Sequence, residues 1–175
     1  MVEANVKIIE ELKYFLKVVS TDASIRKLVT QSDVDFSRDR KLPMERIAAL
    51  IINMPKRSLS IEIQEFFDSL EEGLESSTKG AFSLQRTKLQ ALFFQVWNKW
   101  LVDCYYHYYG AKVKRWRGFL LQAVDGSMAY LMNKKEVVEY FGTQDNQHVS
   151  VPMARVMQVQ DILNDITVWG DIRPI

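Results

Sequence analysis

Asp125 and two stretches of clustered cations are the residues whose types and spacing could do chemistry. Asp125 follows the apolar run Phe119-Leu120-Leu121-Gln122-Ala123-Val124 and opens Asp125-Gly126-Ser127, the pattern of a buried strand followed by a turn. Taken alone, Asp-Gly most often marks a tight turn and nothing more. A carboxylate held at the end of a strand is also the kind of hard oxygen ligand that Mg²⁺ takes, since the sheet keeps it in place. The cations lie between Lys79 and Arg117, where eight basic residues accompany one acid, Asp103. Directly before them, Ser60 to Thr78 carries six acids and no base, so charge is separated between neighbouring segments. Such polarity suits a polyanion and equally suits helix pairing.

Other chemistries find little support. His107 and His148 are not within ligand spacing of each other or of a carboxylate pair, which disfavours zinc. Cys104 and His107 share a helix, but no activating third group or glycine-rich oxyanion loop accompanies them. Asp161 and Asp165 read as a strand-end carboxylate and a turn residue. With 23 basic and 22 acidic residues, net charge says nothing about partners, whereas 47% hydrophobic content among 175 residues is enough for a substantial core. The single cysteine excludes an internal disulfide and fits a reducing cytoplasm. Glu3, Lys7, Glu10 and Glu11 interrupt any apolar leader, and Ile47 to Ile52 is far too short to span a bilayer. A soluble protein with no membrane partner is expected.

Helices must carry the first half. Val6, Ile9, Leu12, Leu16 and Val19 recur at helical spacing, leaving Lys7, Lys13 and Lys17 to water. A short helix follows over Ala23 to Thr30, capped by Thr21 or Asp22, then a polar connection from Gln31 to Arg40. Pro43 suits the first turn of a third helix ending near Met54-Pro55. Ser58 can cap a fourth, whose stripe of Leu59, Ile63, Phe66, Phe67 and Leu70 opposes its acids and which Gly73 would stop. A basic helix around Lys79 to Lys88 and a long aromatic one from Leu92 to Cys104 complete the set. Beyond Gly110 the pattern turns to strands: the run ending at Val124, then Ala154 to Leu163 and Ile166 to Ile172, separated by an Asn164-Asp165 turn. Lys134 to Phe141 reads as a short helix and Gly142 to Ser150 as a loop.

Several motifs in order resemble the IS-four insertion-sequence family of bacterial DDE transposases. They begin with Phe36-Ser37-Arg38-Asp39-Arg40-Lys41-Leu42-Pro43, Lys56-Arg57-Ser58-Leu59, Glu62 and Phe66-Phe67, followed by Lys79-Gly80-Ala81-Phe82-Ser83 with Arg86 and Leu89. Trp116-Arg117-Gly118-Phe119 leading into Ala123-Val124-Asp125-Gly126-Ser127 comes next. Glu139-Tyr140-Phe141-Gly142 and the stretch Ala154 to Ile166, with Asp161 and Leu163-Asn164, close the series. The resemblance covers roughly Phe36 to the end, and it is the order of the motifs that makes it specific.

It implies an α+β chain: a helical, DNA-binding region over 1–112, then the N-terminal part of a ribonuclease-H-like catalytic domain over 113–175, its sheet incomplete. Asp125 falls on the family's first catalytic, metal-binding aspartate. Two-metal phosphoryl transfer needs further carboxylates. The family's second aspartate and its Tyr, Arg, Glu, Lys helix have no match before Ile175, so Mg²⁺ is expected only for the complete domain and no cutting by this chain alone. The implied partner is DNA at transposon terminal inverted repeats, in a bacterial, nucleoid-associated setting, with a homodimer possible through unpaired strand edges. Two surfaces are candidates for DNA. In one, the fourth and fifth helices pair in a helix-turn-helix-like manner, with Phe82 and Leu89 inward and Lys79, Ser83, Arg86 and Gln90 outward. A merely solvated face is an equal alternative there. The other is Lys112, Lys114, Arg115 and Arg117, whose charges can neutralise phosphates without reading sequence. The runner-up function is a non-catalytic DNA-binding protein or inhibitor derived from a truncated transposase. A third class is a helical protein-interaction domain.

Overall fold

The computed structural model describes residues 2–38, 40–53, 57–70, 75–145 and 149–175. Met54-Pro55, Gly73 and His148, each singled out above, lie outside these residues. Among the described residues seven helices, α1 (Val2–Thr21), α2 (Ala23–Val29), α3 (Met44–Asn53), α4 (Leu59–Asp68), α5 (Lys79–Arg86), α6 (Ala91–Tyr109) and α7 (Lys135–Phe141), accompany a four-stranded antiparallel sheet. Its strands are β1 (Gln122–Tyr130), β2 (Thr143–Asp145), β3 (Ser150–Asp161) and β4 (Ile166–Arg173). The class is α+β, with the change from helix to strand after the short 3-10 turn at Gly110–Lys112. The chain forms two compact units, one of residues 9–94 and one of 1–8 with 95–175, and the division falls within α1 and within α6.

In the helical unit, Asp22 accepts the amides of Ser24 and Ile25 and so caps α2, while the Thr78 hydroxyl accepts the amide of Ala81 at the start of α5. These caps satisfy amides that the first helical turn leaves without partners. Ser58 precedes α4, but its backbone carbonyl rather than its side chain receives Ile61 and Glu62. The core of this unit includes Val19, Met44, Ile47, Leu50, Ile63, Phe67, Phe82 and Phe93, each at most 2% exposed. On α1 the expected stripe is buried at Val19 and half-buried at Leu12 and Leu16, but at its N-terminal end Ile8 is inside while Val6 and Ile9 are 48% and 52% exposed. Ile8 and Val19 fall on a second helical stripe, through Leu12 and Phe15, that the sequence satisfies equally well. Glu62 also departs from the acidic face: it is buried, and its carboxylate accepts the Arg57 amide.

In the other unit β3 is the central strand. It pairs antiparallel with β1 from Gln122↔Asp161 to Tyr130↔Met153. On its other side it pairs with β4 from Arg155↔Arg173 to Asp161↔Ile166, and with the short β2 at Pro152 to Ser150. The β3–β4 turn comes at residues 162–165, as the Asn164-Asp165 signal predicts, with Asp165 at φ 53°.

The strand bearing Asp125 corrects one expectation. It does not end in a turn at Asp125-Gly126-Ser127 but runs on to Tyr130, and it is not buried: Val124 is 69% exposed. The long partner strand explains the continuation, since backbone pairing along β3 extends through Ala129↔Ala154 and outweighs the local turn preference of Asp-Gly.

Candidate functional site

Asp125 sits in the body of β1, opposite Gln158. Side chains alternate along strands, so Asp125 shares a face with Ala123 and Ser127, and with Gln158, Gln160 and Val156 of β3. From β4, Thr167 joins this face, where the Gln158 amide donates to Gln160 Oε1 at 3.0 Å and to Thr167 Oγ1 at 3.0 Å. The surroundings of Asp125 are thus partly to fully exposed and largely polar, and Gln160 on this face also donates to the Asp165 carboxylate at 2.7 Å. Among the described residues no three His, Cys, Asp or Glu side chains are grouped to hold a metal. Asp125 thus presents an exposed carboxylate on this face of the sheet.

Asp161, three positions from Gln158, points to the opposite face. It is 0% exposed. Its carboxylate accepts the Tyr106 hydroxyl of α6 at 2.8 Å, Asn164 Nδ2 at 2.8 Å, and the amides of Leu163 and Asn164 at 3.2 Å each. Asn164 in turn accepts the Lys114 amide at 2.8 Å and donates to the Lys114 carbonyl at 3.0 Å. One buried carboxylate thereby joins α6, the β3–β4 turn and the basic segment before β1. The strand-end reading of Asp161 holds, and its function is structural.

This network titrates in a checkable way. Burial pushes the Tyr106 hydroxyl up to about 12, helped by its hydrogen bond to the Asp161 carboxylate. Burial would also raise Asp161, but the Tyr106 hydroxyl, the Asn164 side chain and two backbone amides together hold it below the ordinary carboxylate value. The Tyr106 contribution is complete below the unfolded tyrosine value of ~10 and disappears as pH rises through about 12. The Asp161 contribution is present above the unfolded carboxylate value and disappears as pH falls through its lowered one. Denaturant melts should therefore lose stability above about pH 10, and Tyr106→Phe should flatten that alkaline slope. An unchanged slope in the variant would remove Tyr106 from the network.

The two cationic surfaces differ in construction. On α5, Phe82 is fully buried and Leu89, beyond its end, is 8% exposed, while Lys79 and Arg86 face water and Ser83 is half-buried. Gln90 is not a surface group, because its amide donates to the Thr30 carbonyl at 2.7 Å and its backbone amide to Val29. Helices α4 and α5 contact each other, but residues 70–77 separate their caps, longer than the ~3–4-residue turn of a tight helix-turn-helix. Sequence reading missed a hollow of about 320 Å³ beside α5, lined by Ser37, Arg38, Arg40, Gln85 and Lys88 among others. The signal was the Arg38 and Arg40 pair, which in the sequence looks like no more than part of a connection.

Lys112, Lys114, Arg115 and Arg117 are all exposed around the buried Val113. Arg117 and Gly118 form the tip of a tight hairpin, with Trp116 and Phe119 exchanging both backbone hydrogen bonds at 2.9 Å. Periodicity could not show this, since an Arg-Gly pair is not among the usual two-residue hairpin signals.

No protein-family model, curated protein or solved structure matches the chain significantly. Among the described residues no helix is long and apolar enough to cross a membrane.

Proposed function

We propose that this chain is the N-terminal portion of a DDE transposase of the IS-four type. Its helices and basic segment bind transposon-end DNA, and its sheet is the opening of a ribonuclease-H-like catalytic domain. The observation that carries the reading is the placement of Asp125. It stands on the first strand of an antiparallel β1–β3–β4 arrangement, on an open face turned away from the Asp161 network. Among the described residues strand β1 also lies at the sheet's edge, so its outer backbone row is available to a later strand bringing a second carboxylate beside Asp125. Asp125 and such a carboxylate would hold divalent cations, which would supply activation of the attacking oxygen and stabilisation of the leaving one. In this reading the remaining ligands come from residues outside the sequence, Mg²⁺ fits the oxygen donors, and the 175-residue chain binds DNA without cutting it.

Fluorescence anisotropy with labelled duplex DNA, repeated over a range of salt, tests the binding. Affinity should fall linearly with salt on a logarithmic plot, and the slope should shrink by about 0.9 for each phosphate that the protein ceases to neutralise. The double change Arg115→Ala and Arg117→Ala should remove roughly two such units, and Arg86→Ala about one if α5 also contacts DNA. Absence of binding at low salt would overturn the proposal.

A further inference from the structure

The residues that carry the basic segment's charge also build a feature that phosphate neutralisation alone does not require. Arg117 at φ 49° and Gly118 at φ 88° both take left-handed backbone, closing a two-residue hairpin. Its flanking residues, Trp116 and Phe119, are a cross-strand pair and so project to the same side. Both are large and open to water, at 53% and 72% exposure. The Arg117 guanidinium lies over the indole, 4.7 Å from the Trp116 ring centroid, and Trp116 remains 53% exposed. Arg115 Nη1 donates to the Gly118 carbonyl at 3.4 Å, and the Asn164 pair of hydrogen bonds fixes the hairpin's base at Lys114. The aromatic pair is thus presented from an anchored support.

Charge decides what fits. From Ala111 to Val124 there are four cations and no acid, and all four cations are exposed. An apolar protein surface docking on Trp116 and Phe119 would have to strip water from these cations without replacing it. An intact duplex would satisfy the cations but hides its base faces in its own stack. Unpaired nucleotides satisfy both, since each carries a phosphate for a cation and a π-face for an aromatic ring.

We propose that the Trp116–Phe119 hairpin is a stacking platform for single-stranded DNA, the neighbouring cations gripping the phosphates. The inference rests on the DNA-binding reading above and adds the form of DNA that this site takes. Arginine stacked on Trp116 pre-orients the ring, so ordering it on binding costs little.

The test compares the full chain and its Trp116→Ala and Phe119→Ala variants on a labelled 20-nucleotide single strand and on the same sequence as a duplex. Circular dichroism melts establish that the variants fold. Each variant should weaken single-strand binding about tenfold and duplex binding less than about twofold, while Trp116→Tyr should recover most of the loss. A single strand carrying 2-aminopurine should lose fluorescence on binding the wild type and keep it with Trp116→Ala. Normal duplex binding with equal single-strand affinity in all variants would overturn the platform and leave DNA binding standing. Failure of the wild type to bind either DNA would overturn both. A change in sedimentation of the alanine variants with no change in single-strand affinity would make the hairpin a protein contact and overturn the platform.

Discussion

Changing Asp125 to Asn is expected to abolish metal-dependent strand cleavage in a polypeptide that carries the remaining carboxylates, by about a thousandfold or more. In the proposed two-cation centre the substitution would remove one anionic ligand, and the charge stabilisation there would amount to several kcal/mol of the barrier at ~1.4 kcal/mol per decade. DNA affinity should change by less than about twofold, because the proposed phosphate contacts are made by cations elsewhere in the chain. Folding should also be indifferent, since Asp125 is exposed on β1 and asparagine has the same shape. Gel assays of cleavage and of binding on the same variant separate these effects. Full cleavage by the asparagine variant would take Asp125 out of the site.

The second large effect is on stability. Asp161→Ala leaves the Tyr106 hydroxyl, the Asn164 side chain and two backbone amides without their acceptor in a fully buried position. Removing one member of such a buried charged network costs about 3–5 kcal/mol, because the groups left behind keep their desolvation and lose their bonds. In a thermal melt of the 175-residue chain, at about 2–4 °C per kcal/mol, this corresponds to a fall of roughly 6–20 °C in the transition. Asp161→Asn, which keeps an acceptor oxygen, should lose less. The alanine variant should also bind single-stranded DNA more weakly, because Asn164 then no longer fixes Lys114 at the base of the hairpin. A melt within about a degree of the wild type would show that the network is replaced by water at no cost.

Much of the fold was readable from the residues, and the failures have physical reasons. Helix α2 and its Asp22 cap, helix α5 after Thr78, the β3–β4 hairpin and the helix α7 follow from local signals: a capping side chain, a short apolar period, an Asn-Asp turn. Where two local solutions compete, tertiary contacts choose between them. On α1 two helical stripes share Leu12 and Val19, and packing buries Ile8 in place of Val6 and Ile9. At Asp125-Gly126 a turn and a strand competed, and pairing with β3 selected the strand. The position of Asp125 on a strand was legible, but its exposure in mid-strand was not. Asp161 was legible as a strand-end residue, yet its chief partner Tyr106 is 55 positions away and no spacing rule reaches it. Likewise Gln90 looks like a surface amide until Thr30, 60 positions away, is brought to it. The cations of 112–117 announce themselves as charge, whereas the platform they surround depends on two left-handed residues that only backbone geometry reveals.

Replacing Asp125 by cysteine tests the central claim most directly, in a polypeptide that continues through the further carboxylates. Thiolate binds softer cations far better than it binds Mg²⁺. If this side chain grips the catalytic cation, cleavage should vanish with Mg²⁺ and return in part when Mn²⁺ or Zn²⁺ is supplied. Undiminished cutting by the cysteine variant in Mg²⁺ would contradict it.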